Sequence, residues 1–450
     1  MATSLDIWAV GISIVIGGQY FSWNGGLEAG TLSYGIAIAL VGLAYLCLAF
    51  SMAEMTSMMP FAGGAYGLGR CTLGFFMGFL LGICEILEYI AYVSCSVVVL
   101  GQMLVAEWPA LAKVQPLLWF VIYVIAGLAL SCERFFWLWN RLLALVSLGL
   151  VLSFCIGSMT YIDLHQHGQV DFNTLGGPAA YLKAFPQAAW FFVGIESLNT
   201  LTSSTINPKT TIPRGQVACM VTLLVTSIWV YVVAIFLPPG MPSLATELAP
   251  LNRGFTRIFN ISDSAATMLA VPATFATAQG FMLAYSHIIM AMAGSKLLPT
   301  PCAARHPTLH TPLHALLAGS VLSFALCFVV STWSLGTLVF NVGMFFGYMS
   351  YTAQCLGYIF LKRRHKSMTR EFTSPVGVPG AIFAITVWLI NLFSIIGFQG
   401  DLHVAFGVAM SIILLCSIYY HRFVKFRQSF SDEEQKLMLF VHIGKVVLAT

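Results

Sequence analysis

The sequence predicts an all-α membrane protein whose helices cross the bilayer many times. Hydrophobic residues make up 58% of its 450 residues and charged residues only 8%, whereas a soluble domain carries about 25% charged residues. So few charges cannot cover a surface that faces water, and lipid must therefore contact most of the outside. A backbone in lipid has to satisfy its own hydrogen bonds, which favours helices. At roughly 20 apolar residues per span, the chain is long enough for about a dozen.

Twelve apolar stretches of suitable length follow one another along the chain. They are Ile7–Gly25, Tyr34–Met55, Gly74–Val105, Pro116–Ser131, Phe135–Tyr161, Ala184–Leu201, Val217–Leu237, Ala265–Met292, Leu313–Val330, Leu335–Leu361, Ile382–Phe398 and Val404–Tyr420. The first is longer and richer in glycine than a cleaved secretory signal, so we expect it to be retained as a span. No long polar region remains for a separate soluble domain.

The distribution of Lys and Arg predicts the orientation of these spans. With the amino terminus in the cytoplasm, 17 of the 21 basic residues fall in cytoplasmic segments and 4 in outer loops. The positive-inside rule predicts such a bias, and a wrong span count would have scrambled it. We therefore expect a multi-pass protein with both termini in the cytoplasm. The sequence contains no targeting signal, so we expect the plasma membrane.

Two of the predicted spans contain residues that interrupt helices. Gly17 and Gly18 lie near the middle of the first span, and Gly194 in the sixth precedes Glu196 and a run of Asn, Ser and Thr. Interrupted helices at matching positions of two halves are typical of transporters built from inverted repeats. Such breaks expose backbone groups that can hold a small polar solute. Alternatively, the glycines only allow helices to pack closely.

Carboxylates inside the predicted spans are the most informative chemistry of the chain. Glu85 and Glu88 share one face of the third span, and Glu196 follows the break in the sixth. No Lys or Arg lies in the body of any span, and a charge at the bilayer centre costs about 2.5–3.5 kcal/mol on insertion scales. The acids are therefore expected to be protonated or to bind a cation such as an organic ammonium. All three are candidates for proton coupling.

Each acid also has a structural explanation. Glu54, at the inner end of the second span, can pair with a cytoplasmic Arg, and Glu28 can face the outer water. Glu85 and Glu88 can form a structural pair that shares a proton. Glu196 can accept hydrogen bonds from the unwound backbone that surrounds it.

Aromatic residues accompany the acids and the breaks. Tyr89 follows Glu88, Tyr20 follows the first break and Trp190 precedes the second. An ammonium over an aromatic ring gains about 0.5–2 kcal/mol, so acids with aromatic walls suit a small organic cation. In a chain this rich in aromatic residues, each ring can equally be packing. His287 in the eighth span is more typical of a hydrogen-bonded structural histidine than of a proton route.

Motifs of enzymes and of nucleotide-driven motors are missing from the sequence. It contains no GxxxxGK[ST] loop, HExxH helix, nucleophile elbow or CxxC pair. We therefore predict neither an enzyme nor a bound cofactor or metal. The basic cluster 362–366 fits contact with anionic lipid better than contact with nucleic acid.

Several short motifs together resemble one family of permeases. They are Ile16–Phe21 in the first span, Met59–Tyr66 after the second, Glu88-Tyr89 in the third, Trp190–Ser197 in the sixth, and Asn207–Lys209 with Ile212–Gly215 after it. Over nearly the whole chain the sequence resembles the amino acid–polyamine–organocation (APC) permeases. Gly18–Asn24 and Glu88-Tyr89 are similar to the ethanolamine-permease branch.

The resemblance implies a LeuT-like architecture, the APC fold. Two inverted five-helix repeats would occupy residues 1–161 and 184–361, followed by two C-terminal helices in 382–420 and a short cytoplasmic tail, 421–450. The solute site would lie among the first, third, sixth and eighth helices. The predicted substrate-binding residues are Gly17, Gly18, Gln19, Tyr20, Glu88, Tyr89, Trp190, Gly194 and Glu196, and the predicted proton-coupling residues are Glu85, Glu88 and Glu196.

The resemblance also implies roles and leaves alternatives. Backbone groups of Gly17–Gln19 would face the substrate, Trp190 would gate the site, and Glu196 would link binding to proton or gate movement. Ser203-Ser204 and Gly294–Pro299 depart from the pattern of the branch, which leaves the inner gate and the substrate open. We predict a secondary transporter for a small amine, ethanolamine first, possibly with protons. The alternatives are a permease for zwitterionic or cationic amino acids and a membrane nutrient sensor that does not transport.

Overall fold

The structure, a computed structural model, describes residues 2–61, 63–163, 172–307, 311–332, 335–366, 368–431 and 434–435, the side chains of residues 133 and 134 excepted. Over these ranges the chain is mainly helical, and one isolated bridge joins Ala2 to Thr205. Nine of the described helices are long and apolar enough to span a membrane, and a bent pair at the amino terminus forms a tenth. The predicted all-α, multi-pass architecture is confirmed.

The helices follow the order of the predicted spans, and we number them accordingly. They are Ser4–Val15 with Ile16–Gln19 and Trp23–Ala29 (first), Thr31–Met58, Phe75–Glu107, Gln115–Ser131, Glu133–Ser158, Phe185–Phe191 with Ile195–Ser204 (sixth), Pro208–Phe236, Val271–Gly294, Leu313–Thr332, Gly336–Arg364 (tenth), Gly377–Gly397 and Val404–Tyr419 (twelfth). The sixth and tenth spans are not among the helices that are long and apolar enough to cross a membrane. The sixth is divided into two short pieces, and the tenth carries several polar residues.

The two predicted breaks are present and touch each other. The first span tightens into a 3₁₀ turn at Ile16–Gln19 and bends by 46° before Trp23–Ala29. The sixth divides at Gly194, whose φ of +104° lies in the left-handed region that favours glycine. A Cβ atom on Gly18 would lie 1.6 Å from the backbone oxygen of Trp190. Glycine at position 18 therefore lets the two interrupted segments cross in direct backbone contact.

The third span forms the centre of the bundle. In its most apolar window 83% of the residues are buried, against 17% in the corresponding window of the twelfth span. It packs against the eighth and tenth spans, while the second packs against the seventh and eleventh. Acids carried by the third span are therefore enclosed by neighbouring helices on all sides. The division into inverted repeats at 1–161 and 184–361 stays a prediction.

Glu54 has the structural role that the sequence allowed for it. Its side chain is fully buried and pairs with Lys362 at 2.6 Å and with Arg370 at 2.9 Å. The Tyr358 hydroxyl and the Ser374 backbone N–H donate to it at 2.8 and 2.9 Å. This carboxylate therefore joins the second span to the tenth and to the segment that leads into the eleventh.

Glu28 and His287 also contact partners within the protein, as a structural role requires. Glu28 is 65% exposed and lies 3.3 Å from the Lys183 ammonium, as expected for an acid that faces water. The Nδ1 atom of His287 lies within hydrogen-bond distance, 3.2 Å, of the Thr200 carbonyl. The structure thus gives this histidine a backbone partner on the sixth span.

Candidate functional site

The buried acids of the third and sixth spans meet at one tyrosine of the tenth. The Tyr351 hydroxyl donates a short hydrogen bond to Glu88 Oε1 and lies 3.4 Å from Glu196 Oε1. Glu88 is 0% exposed and Glu196 is 3% exposed. Tyr351 therefore brings together two acids that are 108 positions apart in the sequence.

Glu196 is also held by its own span and by the third. The Gly194 backbone N–H donates to Glu196 Oε2 at 3.2 Å, and the Tyr89 hydroxyl donates to Oε1 at 3.1 Å. The first of these is the bond to unwound backbone that the sequence suggested as a structural role. It occupies one carboxylate oxygen and fixes the other toward Tyr89 and Tyr351, so the break orients Glu196 toward Glu88.

Glu88 has one oxygen that is bonded and one that is free. The Tyr92 hydroxyl donates to Oε1 at 3.3 Å, in addition to Tyr351, while Oε2 is buried without a hydrogen-bond partner. A Cβ atom on Gly347 would lie only 2.4 Å from Oε1. The missing side chain at this position is therefore what lets the carboxylate lie against the tenth span.

Glu85 lies one helical turn from Glu88 and has different partners. Gln354 Nε2 donates to its Oε1 at 2.8 Å and Ser350 Oγ at 3.2 Å, and its Oε2 is buried and unpartnered. No hydrogen bond joins Glu85 to Glu88 in the part of the chain that the structure describes. The arrangement therefore differs from a directly hydrogen-bonded pair that shares one proton.

These three acids, which we call the acid cluster (Glu85, Glu88 and Glu196), have no basic partner among the described ion pairs. Glu54, by contrast, contacts two cations. A buried charge without a partner is costly, so in the ionised state the cluster favours a bound cation, and otherwise it favours protonation. Two buried carboxylate oxygens, one on Glu85 and one on Glu88, have no hydrogen-bond partner in the described part of the chain.

Aromatic rings separate the acid cluster from a cavity that opens at one end of the molecule. Trp190 stacks on Phe340 with ring centroids 4.5 Å apart and planes 8° apart. The Tyr92 ring, whose hydroxyl reaches Glu88, lies 6.1 Å from Trp190 and 6.3 Å from Phe340. Trp190 and Phe340 both line the cavity, which has a volume of about 470 Å³. We call this cavity the vestibule, and the stacked pair lies between it and the acid cluster.

The side chains of Gln19 and Tyr20 point away from the acid cluster. Gln19 Nε2 donates to Thr226 and Ser227 of the seventh span at 2.9 and 3.0 Å. The Tyr20 hydroxyl donates to the Ser147 carbonyl of the fifth span at 2.5 Å. These two predicted substrate-binding residues are therefore not brought to Glu88 by their side chains.

The backbone of the first break is largely engaged within the protein. The Gly17 N–H donates to Thr277 Oγ1 at 3.2 Å, and Gly18 lies against the backbone of Trp190. Of the predicted residues, the structure thus gathers Glu85, Glu88, Tyr89, Gly194 and Glu196 in one place and sets Trp190 between them and the vestibule. Gly17 and Gly18 contact the neighbouring segments instead.

The sequence analysis missed the contribution of the tenth span. Gly347, Ser350, Tyr351 and Gln354 recur at intervals of three and four residues, so they share one helix face, and each contacts or closely approaches an acid of the cluster. This polar stripe in an otherwise apolar helix was visible in the sequence. Acidic residues do not point to it, because the span carries no carboxylate.

Known proteins support the assignment of a family. Residues 4–418 match the family model described as amino acid permease. The chain is 26% identical to the methylthioribose transporter of Bacillus subtilis (strain 168) over 431 residues, 88% of each chain. It is 24% identical to the branched-chain amino acid permease BcaP of the same organism, over 84% of this chain and 83% of the relative. An uncharacterized transporter of Rhizobium meliloti (strain 1021) is 25% identical over 69% and 68% of the two chains. The chain therefore belongs to the amino acid permease family, a family of multi-pass membrane proteins.

Proposed function

We propose that this chain is a secondary transporter that carries a small organic amine, with ethanolamine as the first candidate. The observation that carries the proposal is the enclosed pair Glu88 and Glu196, joined by Tyr351, without a basic residue among their described partners. The ammonium of the substrate would take the position next to Glu88 Oε2. Tyr89, Tyr92 and Trp190 would form its aromatic walls.

An amine without a carboxylate fits the surroundings of the acid cluster. A carboxylate of an amino acid needs N–H donors, and the Gly17 N–H already donates to Thr277. The hydroxyl of ethanolamine, unlike a carboxylate, does not need N–H donors, since a hydroxyl can both donate and accept a hydrogen bond. This difference favours ethanolamine over a zwitterion.

A permease for zwitterionic or cationic amino acids is the second candidate. Relatives include branched-chain amino acid permeases and, over 48% of this chain, cationic amino acid transporter 1 of Arabidopsis thaliana at 27% identity. An amino acid could place its ammonium at Glu88 if the first break rearranged to free its N–H groups. A nutrient sensor of the same fold would bind the solute without moving it.

Protons are the coupling ion that we propose. One carboxylate of the acid cluster would hold a proton while another binds the ammonium, so that the two cations move together, with Glu85, Glu88 and Glu196 as the candidate groups. We also propose that both termini lie in the cytoplasm and that the protein resides in the plasma membrane, in line with the 17 to 4 distribution of basic residues. The vestibule would then open to the outside.

Uptake of labelled ethanolamine into proteoliposomes tests this proposal. Transport should be competed by unlabelled ethanolamine more strongly than by alanine, leucine or arginine, and an inward proton gradient should accelerate it until an ionophore abolishes the gradient. Glu88→Gln should eliminate uptake, while Glu28→Gln, a change at an exposed acid, should leave it intact. Competition by amino acids alone would favour the second candidate, and binding without flux would favour a sensor.

A further inference from the structure

The end of the molecule opposite the vestibule contains an enclosed arginine. Val98 and Val99, near the end of the third span, line the vestibule, while Arg70 lies just before its start at Phe75. Arg70 is 4% exposed, and its guanidinium lies over the rings of Phe75 and Phe430, at 5.2 and 5.3 Å. Phe430 belongs to the segment that follows the twelfth span. The carboxy-terminal segment therefore covers a buried cation.

A carboxylate from the same segment neutralises this arginine. Glu434 Oε1 lies 2.6 Å from Arg70 Nη1 and accepts from the Tyr66 hydroxyl at 3.3 Å. Its Oε2 accepts from Ser295 Oγ at 2.6 Å and from the Ser431 backbone N–H at 3.0 Å. Glu434 is 2% exposed. A single side chain near the carboxy terminus thus binds the helix Ala65–Thr72, which follows the second span, and the end of the eighth span.

The turn that leads to Tyr66, a partner of Glu434, adjoins the acid cluster. A Cβ atom on Gly64 would lie 4.0 Å from Glu85 Oε2, so the turn that leads to Tyr66 directly adjoins the cluster. The Tyr66 hydroxyl also contacts the Ala291 carbonyl at 3.1 Å, and the Ser429 N–H donates to the Ser295 carbonyl at 3.0 Å. These contacts fasten the turn after the second span to the inner end of the eighth.

We propose that Glu434 is a releasable latch that keeps this end closed while the vestibule is open. Solute can leave by this end only after the turn at Tyr66 separates from the eighth span, and Glu434 bonds to both sides of that contact. The proposal requires a transporter with two alternating openings, but it does not depend on ethanolamine as the substrate.

Release of the latch should be visible as a change in which end admits a water-soluble maleimide. The reporters are Thr200→Cys, whose side chain lies beside Gly64, and Gln187→Cys, which lines the vestibule. Each labelling rate is corrected for the same protein without the introduced cysteine. In the Glu434→Gln protein, the maleimide should react about tenfold faster with Thr200→Cys, the effect of losing one hydrogen bond to a charged group. It should react more slowly with Gln187→Cys.

A matched control and the contrary outcomes make the test decisive. Gln435→Ala alters an exposed neighbour that bonds only weakly, at 3.4 Å, to the Phe430 carbonyl, and should leave both rates unchanged. If Glu434→Gln leaves both rates at the parent value, the latch does not exist. If both rates rise, the substitution has loosened the fold and the proposal is equally overturned. No substrate is present, so the result is independent of the uptake experiment.

Discussion

At the scale of single residues, the same side chain takes two roles according to its partners. Glu54 and Glu88 are both fully buried glutamates. Glu54 contacts Lys362 and Arg370, whereas the described contacts of Glu88 are with tyrosine hydroxyls. A carboxylate that is paired with a basic side chain stabilises the fold, whereas a buried carboxylate without such a partner needs a bound cation or a proton. The two positions should therefore respond in opposite ways to the same substitution.

Glu54→Gln should destabilise the protein, whereas Glu88→Gln should not. Removing the Glu54 charge leaves two cations unpaired, at a cost of about 2–3 kcal/mol, below the 3–5 kcal/mol of a fully buried pair because both cations are partly exposed. Removing the Glu88 charge relieves repulsion from Glu196. Thermal unfolding in detergent should show a lower Tm for Glu54→Gln and an equal or higher Tm for Glu88→Gln. A lower Tm for Glu88→Gln alone would assign it a structural role.

Tyr351→Phe should impair transport without impairing the fold. The change removes the hydroxyl shared by Glu88 and Glu196 and keeps the ring, which packs on Tyr45 and Trp388 at 5.5 and 5.4 Å. Losing a hydrogen bond to a charged group costs about 1.5–3 kcal/mol, so uptake at low substrate concentration should fall about tenfold or more.

The neighbouring tyrosine of the tenth span provides the control for this prediction. Tyr348 also packs on Trp388, and its hydroxyl has no hydrogen-bond partner in the described part of the chain. Tyr348→Phe should therefore transport like the parent protein. Equal losses in the two variants would mean that the rings, rather than the Tyr351 hydroxyl, matter for transport.

At the scale of elements, glycine decides how closely the site helices approach. Gly18 lets the first break touch the backbone of Trp190, and Gly347 lets the tenth span touch the Glu88 carboxylate. The two glycines differ in what an added methyl group would meet. At position 18 it would meet rigid backbone, but at position 347 it would meet the end of a flexible side chain. Only the second change can move an acid while the bundle stays assembled.

Gly347→Ala should yield a folded protein with a misplaced Glu88. The new Cβ atom, 2.4 Å from Glu88 Oε1, would push the carboxylate off Tyr351, and uptake should fall at least about tenfold if one charge-assisted bond is lost. Gly336→Ala, at the start of the same helix with its nearest atom 3.6 Å away, is the control and should remain active. Size-exclusion profiles and Tm establish folding. Normal uptake by Gly347→Ala would mean that the position of Glu88 against the tenth span is not critical.

The elements also mark the limit of what the sequence could predict. Apolar stretches and paired glycines indicated twelve helices and two breaks, because span length and backbone freedom are local properties. The side-chain directions of Gln19 and Tyr20 depend on where the seventh and fifth spans lie, so they could not be predicted locally. The same holds for Tyr351, which contacts Glu88 and Glu196 only because the third, sixth and tenth spans meet in the folded protein.

At the scale of the whole molecule, the two ends differ in the described part of the chain: one holds a cavity, and at the other neighbouring elements are joined. The vestibule reaches Trp190 and Phe340, while Tyr66, Arg70, Ser295 and Glu434 join the turn after the second span to the eighth span at the opposite end. Charge distribution along the sequence predicted the two sides, but not the closure. That closure depends on a contact between the first 70 residues and the last 20, which is a property of the assembled bundle.

Saturating substrate should reverse the accessibility of the two ends in the protein with an intact acid cluster. Ethanolamine at Glu88 and Glu196 would neutralise the cluster and favour a state in which the vestibule is closed, so Gln187→Cys should be labelled more slowly and Thr200→Cys faster. A ligand shifts such an equilibrium only by its differential affinity for the two states. Glu88→Gln removes the charge that would provide this difference in affinity, and substrate should then leave both labelling rates unchanged. If a substrate that is transported changes neither rate in the parent protein, the two ends are not coupled through the acid cluster.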